Sequence, residues 1–183
     1  MPPLRASPTF ARYSEETIPL AKKFMDQARA DGKPFFIWLN PTRGHVYVRL
    51  SDKWRYASED FTAESDTAGS GVIEHDADVG DVLKYLDDNG LTDNTIVWYS
   101  TDNGPEHASW PDGQTTPWRG EKMTTYEGGV RVISLLRWPG KIEAGKVLNG
   151  IQSHMDMFYT LAVAAGIEDP QAWVKDNKQQ YLD

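Results

Sequence analysis

The feature that most constrains the fold of this chain is a short apolar run that ends in adjacent oxygen-bearing side chains. Residues 95–100 (TIVWYS) have the pattern of a buried strand, and Asp102 and Asn103 follow it almost directly. A loop rich in glycine, proline and tryptophan then leads to Lys122. Ligands of an open α/β sheet bind at the carboxyl ends of its strands. The layout therefore predicts an anion site built on a divalent metal.

Helical and strand-like patterns alternate on both sides of this run. Apolar residues at helical spacing predict helices over residues 14–32, 71–89 and 153–166. Short apolar runs bounded by turn residues predict further strands over residues 34–40 and 130–138. Helices that alternate with buried strands favour an α/β layered fold.

Two long segments without periodicity separate these elements. Residues 41–66 are rich in aromatic and charged side chains and predict a loop that crosses the edge of the sheet. Residues 101–129 predict a second long loop. A long irregular segment in a compact domain is usually functional or disordered, and the aromatic content of the first loop favours function. We therefore expect that loop to contribute to specificity.

The composition excludes several classes of function. With 183 residues, 39% of them hydrophobic and 25% charged, the chain has the composition of a soluble globular protein with one core. A net charge of −8 without a cluster of Lys and Arg argues against a nucleic-acid partner. The absence of cysteine excludes a disulfide or a thiolate metal site in these residues. No apolar run is long enough to span a membrane, so no membrane partner is expected.

The residues Asp102, Asn103 and Gly104 are open to two interpretations. They can form an ordinary turn, since Asp, Asn and Gly are common turn residues. They can instead supply oxygen ligands to a hard cation such as Ca²⁺, which takes six to eight oxygens. Two ligands are too few, so the metal interpretation requires further ligands from elsewhere.

His45 and Lys122 are open to alternative interpretations as well. A lone histidine is often only a structural hydrogen-bonding group. His45, however, lies just past the predicted strand at residues 34–40, where it could donate to an oxyanion or protonate a leaving oxygen. A lysine in a polar loop is often only solvated, but the compact ammonium of Lys122 suits a sulfate or phosphate oxygen.

The other charged residues near these positions are expected to have structural roles. A salt-bridge network that holds the second loop is predicted for Arg119, Glu121, Glu127 and Arg131. His75 lies between acidic residues of a predicted helix and is expected at the surface.

Three motifs in this order and spacing resemble the later part of the catalytic domain of sulfatases, especially bacterial arylsulfatases of the alkaline phosphatase superfamily. They are FFIWLNPTRGHV at residues 35–46, EHDADVGDVLKYLDDNGLTDNTIVWYSTDNGPE at residues 74–106, and TTPWRGEKMTTYEGGVRV at residues 115–132 followed by RWPG at residues 137–140. The resemblance runs from about Ser14 to Gly166. It implies a three-layer α/β sandwich, in which helices flank a mixed β-sheet, present here in incomplete form.

The resemblance also implies a division of the chain. Residues 1–13 are an irregular leading segment, and residues 14–168 are the C-terminal part of the catalytic domain. Residues 169–183 are a polar tail that leads to a missing or truncated C-terminal subdomain.

For the whole protein, the resemblance implies hydrolysis of a sulfate-ester substrate with one bound Ca²⁺. Asp102 and Asn103 match the second pair of metal ligands of the family. His45 matches the histidine that contacts the sulfate and the leaving-group oxygen, and Lys122 matches a lysine that contacts the sulfate. Because such relatives are commonly exported, a periplasmic or secreted parent protein is expected.

The sequence also departs from the family pattern. The family nucleophile is a formylglycine made from Cys or Ser in a Cys/Ser-x-Pro-x-Arg motif, and the 183 residues contain neither form of it. The first pair of aspartate ligands is missing too. We therefore expect a fragment that is inactive alone. Gly44 stands where a bulkier residue is expected, which predicts a looser loop at His45.

Two other functions remain open from the sequence. One is a phosphodiesterase or phosphonate hydrolase of the same superfamily, and the other is a non-catalytic remnant that binds Ca²⁺ or an anion. An incomplete sheet would also expose an edge that invites self-association of the isolated chain.

Overall fold

The computed structural model describes residues 13–45, 48, 50–55, 57, 58, 63–110 and 116–177. In chain order, the helices and strands are α1 (Tyr13–Ala30), α2 (Ala63–Asp88), a short 3₁₀ turn (Thr92–Asn94), β1 (Val97–Ser100), α3 (Glu127–Val130), β2 (Ser134–Arg137), α4 (His154–Ala164) and α5 (Pro170–Asp176). The chain divides into two compact units, Met1–Glu143 and Ala144–Asp183. Helices with a small sheet agree with the predicted α/β class in incomplete form.

Helix α1 forms as its apolar spacing predicts. Its buried residues recur at intervals of three or four positions, which places them on one face: Ile18, Ala21, Met25 and Ala28. The helix ends at the predicted glycine, because Gly32 has φ +63° and the N–H of Lys33 donates to the carbonyl of Ala28 at 2.9 Å. This is the hydrogen-bond pattern of a glycine-terminated helix.

Helix α2 begins eight residues earlier than the predicted start at residue 71. Residues 68–71 (AGSG) carry no apolar periodicity, and small side chains there allow the first loop to approach closely. The hydroxyl of the fully buried Ser70 accepts a hydrogen bond from the N–H of Ser58 at 3.0 Å. Tertiary packing therefore extends the helix beyond its own sequence pattern.

Helices α1 and α2 pack together through polar contacts at the rim of their interface. The ammonium of Lys22 lies 2.6 Å from the carboxylate of Asp81. The guanidinium of Arg29 donates to the side-chain oxygen of Asn89 at 2.7 Å. Between these rims, the apolar face of α1 and Leu86 of α2 are buried.

The prediction of a buried strand over residues 34–40 is wrong for the part of the chain that the structure describes. These residues join no ladder, and Phe36 and Trp38 are 71% and 80% exposed. Leu20 and Phe24 of α1 line an open apolar groove with them. A strand needs a hydrogen-bonded neighbour, and β1 and β2 pair only with each other among the described residues.

Strands β1 and β2 form an antiparallel pair in which Val97 faces Arg137 and Ser100 faces Ser134. The strand predicted at residues 95–100 is thus confirmed over Val97–Ser100, although its residues are partly exposed rather than buried. The strand predicted at residues 130–138 is shorter than expected, since it covers only Ser134–Arg137 and Val130 belongs to the helical turn α3.

The second unit contains helices α4 and α5. The N–H of Ser153 donates to the carboxylate of Asp156 at 2.7 Å, which confirms the predicted helix start. The polar tail predicted from residue 169 contains a helix, α5. Asp169 caps it by accepting from the N–H of Ala172 at 2.9 Å, and Pro170 occupies the first turn. None of the described helices is both long and apolar enough to cross a membrane.

Candidate active site

The two ends of the second long loop, residues 101–129, meet at a junction built from glycines. The N–H of Gly104 donates to the carbonyl of Gly129 at 2.9 Å. A Cβ atom on Gly104 would lie 1.7 Å from the carbonyl oxygen of Gly128, so no other residue fits this approach. The N–H of Lys122 also donates to the carbonyl of Pro105 at 2.8 Å. The segment that follows β1 and the segment that carries Lys122 are therefore one connected unit.

Asp102 and Asn103 lie directly after β1, as predicted. Asp102 is exposed, and Asn103 is partly buried. The side-chain N–H of Asn103 donates to the carbonyl of Gly104 at 2.9 Å, which leaves the amide oxygen as the acceptor of that group. The end of β1 thus presents a carboxylate and an amide oxygen on neighbouring residues.

Lys122 lies against a carboxylate rather than in open solvent. Its ammonium is 3.8 Å from Oε2 of Glu106, and the two side chains are 24% and 27% exposed. The hydroxyl of Ser109 donates to the other carboxylate oxygen of Glu106 at 3.1 Å. The N–H of His107 donates to Glu121 at 2.7 Å, which adds another bond between the segment that follows β1 and the segment that carries Lys122. A partly buried cation is thereby held beside the residues that follow β1.

His45 is exposed and lies in a tight turn. Gly44 has φ +77°, a left-handed conformation that glycine adopts without strain. The sequence predicts that Gly44 loosens this loop. The structure shows instead a specific turn that favours glycine. The carbonyl of His45 accepts a hydrogen bond from the indole N–H of Trp110 at 3.3 Å, which links His45 to the loop that carries Glu106.

The predicted salt-bridge network is only partly correct. Arg131 pairs with Glu127 at 3.2 Å, but its guanidinium also lies 4.1 Å from the ring centroid of Trp118. Arg119 stacks over Tyr126 at 4.2 Å. Aromatic stacking therefore replaces part of the expected ion pairing in this loop.

The prediction that His75 is a surface residue is wrong. Nε2 of His75 lies 3.1 Å from the hydroxyl of Tyr99 on β1, and the two rings are 5.7 Å apart. Burial lowers the pKa of His75 below its ordinary value, although the carboxylates of Asp78 and Asp76 oppose that shift. The acidic neighbours of His75 suggested exposure to solvent, but Tyr99 of β1 contacts its ring.

The residues present fit only part of a metal site. Within the described ranges, no three or more His, Cys, Asp or Glu residues are grouped so that they could hold a metal ion. Asp102 and Asn103 supply two oxygen-bearing side chains, whereas Ca²⁺ takes six to eight oxygens. A complete metal shell would need ligands beyond these two.

Sequence reasoning missed a buried ion pair close to His45. Arg43 and Glu74 are both buried, and Arg43 donates to both carboxylate oxygens of Glu74 at 2.6 Å. The partners are 31 positions apart, so no local spacing could reveal the pair. The only signal of this pair in the sequence was that Glu74 lies close to apolar residues of the predicted helix.

Comparison with known proteins identifies the group to which this fold belongs. The sulfatase family matches residues 5–167. The N-acetylgalactosamine-6-sulfatase of Canis lupus familiaris is 34% identical over 170 residues, which are 91% of this chain and 31% of that protein. Arylsulfatase A of Bos taurus is 33% identical over 163 residues, which are 87% of this chain and 30% of that protein.

A solved structure gives the same result. The crystal structure of a sulfatase from Pseudoalteromonas sp. aligns with a TM-score of 0.74 and 30% identity, over 87% of this chain and 32% of that one. The chain spans roughly a third of the length of these relatives. By its sequence match and by its fold, the chain belongs to the sulfatase family.

Proposed function

We propose that the protein to which these residues belong hydrolyses sulfate esters. The observation that carries the proposal is the glycine junction, which joins the oxygen donors after β1 to the partly buried ammonium of Lys122. An ammonium held beside hard oxygen ligands is suited to an anionic ester, and the chain belongs to a family whose named relatives act on sulfate esters.

The four site residues have three roles in this proposal. Lys122 binds a sulfate oxygen and offsets the negative charge that the ester carries. His45 donates a proton to the leaving oxygen as the S–O bond to the alcohol breaks. Asp102 and Asn103 are two ligands of a divalent cation, which proteins of this family generally bind and which we propose to be Ca²⁺. When bound, the cation supplies positive charge next to the sulfate.

The nucleophile and the remaining ligands are proposed to come from polypeptide outside these 183 residues. The sequence contains no Cys and no Ser-x-Pro-x-Arg motif from which the family nucleophile is made. Residues 34–40 support this proposal, since an apolar segment with exposed aromatic side chains is suited to pairing with strands supplied from elsewhere. The 183 residues alone are then expected to give no turnover.

The experiment that tests the function measures hydrolysis of p-nitrophenyl sulfate by the full-length protein that contains this sequence. We expect turnover, and we expect chelation of divalent cations to abolish it. Asp102→Ala is expected to raise the Ca²⁺ concentration needed for activity. Faster hydrolysis of a phosphate diester than of the sulfate would contradict the proposal, as would full activity of the Asp102→Ala variant without added metal.

A matched measurement on the isolated 183 residues tests the assignment of the nucleophile. No release of p-nitrophenol above background is expected. Sustained release that is lost in His45→Ala and Lys122→Ala would show that the nucleophile lies within these residues.

A further inference from the structure

The most deeply buried charges in the described residues lie next to the proposed proton donor. Nε of Arg43 donates to Oε2 of Glu74 at 2.6 Å, and a terminal nitrogen donates to Oε1 at 2.6 Å. Both side chains are only 1% exposed. The guanidinium also donates to the hydroxyl of Thr42 at 3.3 Å. This bidentate geometry fixes the orientation of the Arg43 guanidinium as well as its distance from α2.

General stability does not explain why a charged pair occupies this position. Removing two charges from water costs free energy that their attraction often fails to recover, and apolar residues of similar volume can replace such pairs without loss. The presence of this buried ion pair is therefore better explained by the residues that it orients. Arg43 is separated from His45 only by Gly44, whose φ of +77° sets a tight turn between them.

The chain on the far side of His45 is held against the same helix. A Cβ atom on Gly71 would lie 2.9 Å from a methyl group of Val48, which shows how closely the loop approaches α2. The buried hydroxyl of Ser70 accepts from the N–H of Ser58 at 3.0 Å. Contacts to α2 therefore lie on both sides of His45 in the sequence.

We propose that Arg43 and Glu74 are positioning residues for His45, and that they anchor its turn to α2 so that the imidazole meets the leaving oxygen of the ester. The inference rests on the proposed sulfatase function. A proton donor must lie within hydrogen-bond distance of the atom that it protonates, and a displacement of about 1 Å can cost roughly 100-fold in rate. The pair acts through His45 and does not contact the substrate.

The test uses the full-length protein and replaces the pair with apolar residues in the double variant Arg43→Met/Glu74→Leu. The control is Lys22→Met/Asp81→Leu, which removes another ion pair of α2, at 2.6 Å, about two helical turns further along α2 than Glu74. Each protein is assayed with two aryl sulfates: p-nitrophenyl sulfate, whose leaving group needs little protonation, and phenyl sulfate, whose leaving group needs more. The melting temperature of every variant is recorded.

The expected result is a loss that depends on the leaving group. Removing the pair should lower kcat about 100-fold on phenyl sulfate but less than about 10-fold on p-nitrophenyl sulfate, since protonation matters most for the poorer leaving group. His45→Ala should show the same dependence. Because the pair acts through His45, adding its replacement to His45→Ala should cause no further loss. The control should keep activity on both esters.

Arg43→Lys keeps the positive charge but loses the bidentate hydrogen bonding to Glu74. It serves as the second variant if the double variant does not fold. It should show the same dependence on the leaving group with a smaller loss. Equal losses on both esters, or further loss in the His45→Ala background, would overturn the positioning role and leave the sulfatase function intact. A wild-type protein that hydrolyses neither ester would overturn the proposed function itself, and this inference with it.

Discussion

The ammonium of Lys122 lies 3.8 Å from the carboxylate of Glu106, and both residues belong to the loop between β1 and α3. The hydroxyl of Ser109 holds that carboxylate from its other side at 3.1 Å. A lysine placed in this way loses less conformational entropy when it binds an anion than a solvated lysine does. The relationship therefore distinguishes Lys122 from the exposed lysines of the chain.

Replacement of Lys122 should impair the full-length protein strongly. We expect Lys122→Ala to lower kcat/KM for p-nitrophenyl sulfate by roughly 100-fold or more, because a positioned charge that contacts the reacting group typically contributes that much. Lys122→Arg should recover only part of the loss, since its planar guanidinium cannot take the same place beside Glu106. The control is the exposed Lys141→Ala, which should change kcat/KM little. Equal rates for Lys122→Ala and Lys141→Ala would remove Lys122 from the site.

Replacement of Gly104 should destabilise the glycine junction. An added Cβ would lie 1.7 Å from the carbonyl oxygen of Gly128, so the two ends of the loop must separate. We expect Gly104→Ala to lower the free energy of unfolding by about 3 kcal/mol, as severe overpacking does. Urea denaturation of the purified chain measures the change.

The matched control for this substitution is Gly80→Ala. Gly80 lies within α2, and an added Cβ would have no atom within 4 Å. Because alanine is the better helix former, this variant should gain roughly 0.5–1 kcal/mol. If the two variants have similar stability, the close approach at Gly104 is not present in solution.

The sequence predicted α1, β1 and α4 because their signals are local. An apolar face, a terminating glycine and a capping box each lie within a few residues of the element that they define. The start of α2 and the conformation of residues 34–40 depend instead on partners that are distant in the sequence. Ser70 is helical and buried where Ser58 packs against it, whereas residues 34–40 find no strand neighbour among the described residues.

The same difference applies to the candidate site. Asp102, Asn103, His45 and Lys122 could be singled out because each lies in a short motif with recognisable spacing. The contacts that orient them involve partners far away in the sequence, as in the bond between Trp110 and the carbonyl of His45. Contacts of this kind between distant residues follow from the fold and produce no periodic pattern in the sequence.

The isolated chain should associate through its exposed apolar groove. Phe36 and Trp38 are 71% and 80% exposed, and an exposed apolar segment without a strand partner favours contact with another copy. We expect light scattering to show oligomers for the purified 183 residues. The double variant Phe36→Glu/Trp38→Glu should be largely monomeric at the same concentration, because each new charge would have to be desolvated in the contact.

A second double variant controls for a general effect of added charge. Val147 and Ile151 are also highly exposed, but they lie in the second compact unit. Val147→Glu/Ile151→Glu should leave the association unchanged. If it reduces association as strongly as the first variant, then net charge rather than the groove controls the oligomeric state.

His75 should make the stability of the chain depend on pH in the mildly acidic range. Burial against Tyr99 lowers the pKa of His75 below 6.5, the ordinary value that it regains on unfolding. The unfolded chain therefore binds the proton first as the pH falls. Stability from this group is fully present above pH 6.5 and is lost as the pH falls through the lowered folded-state pKa.

We expect the melting temperature of the wild type to fall between about pH 7 and pH 5, and His75→Gln to flatten that fall. His154→Gln, which alters a histidine in the second unit, should keep the wild-type slope. A His75→Gln profile parallel to the wild type would show that other groups cause the dependence.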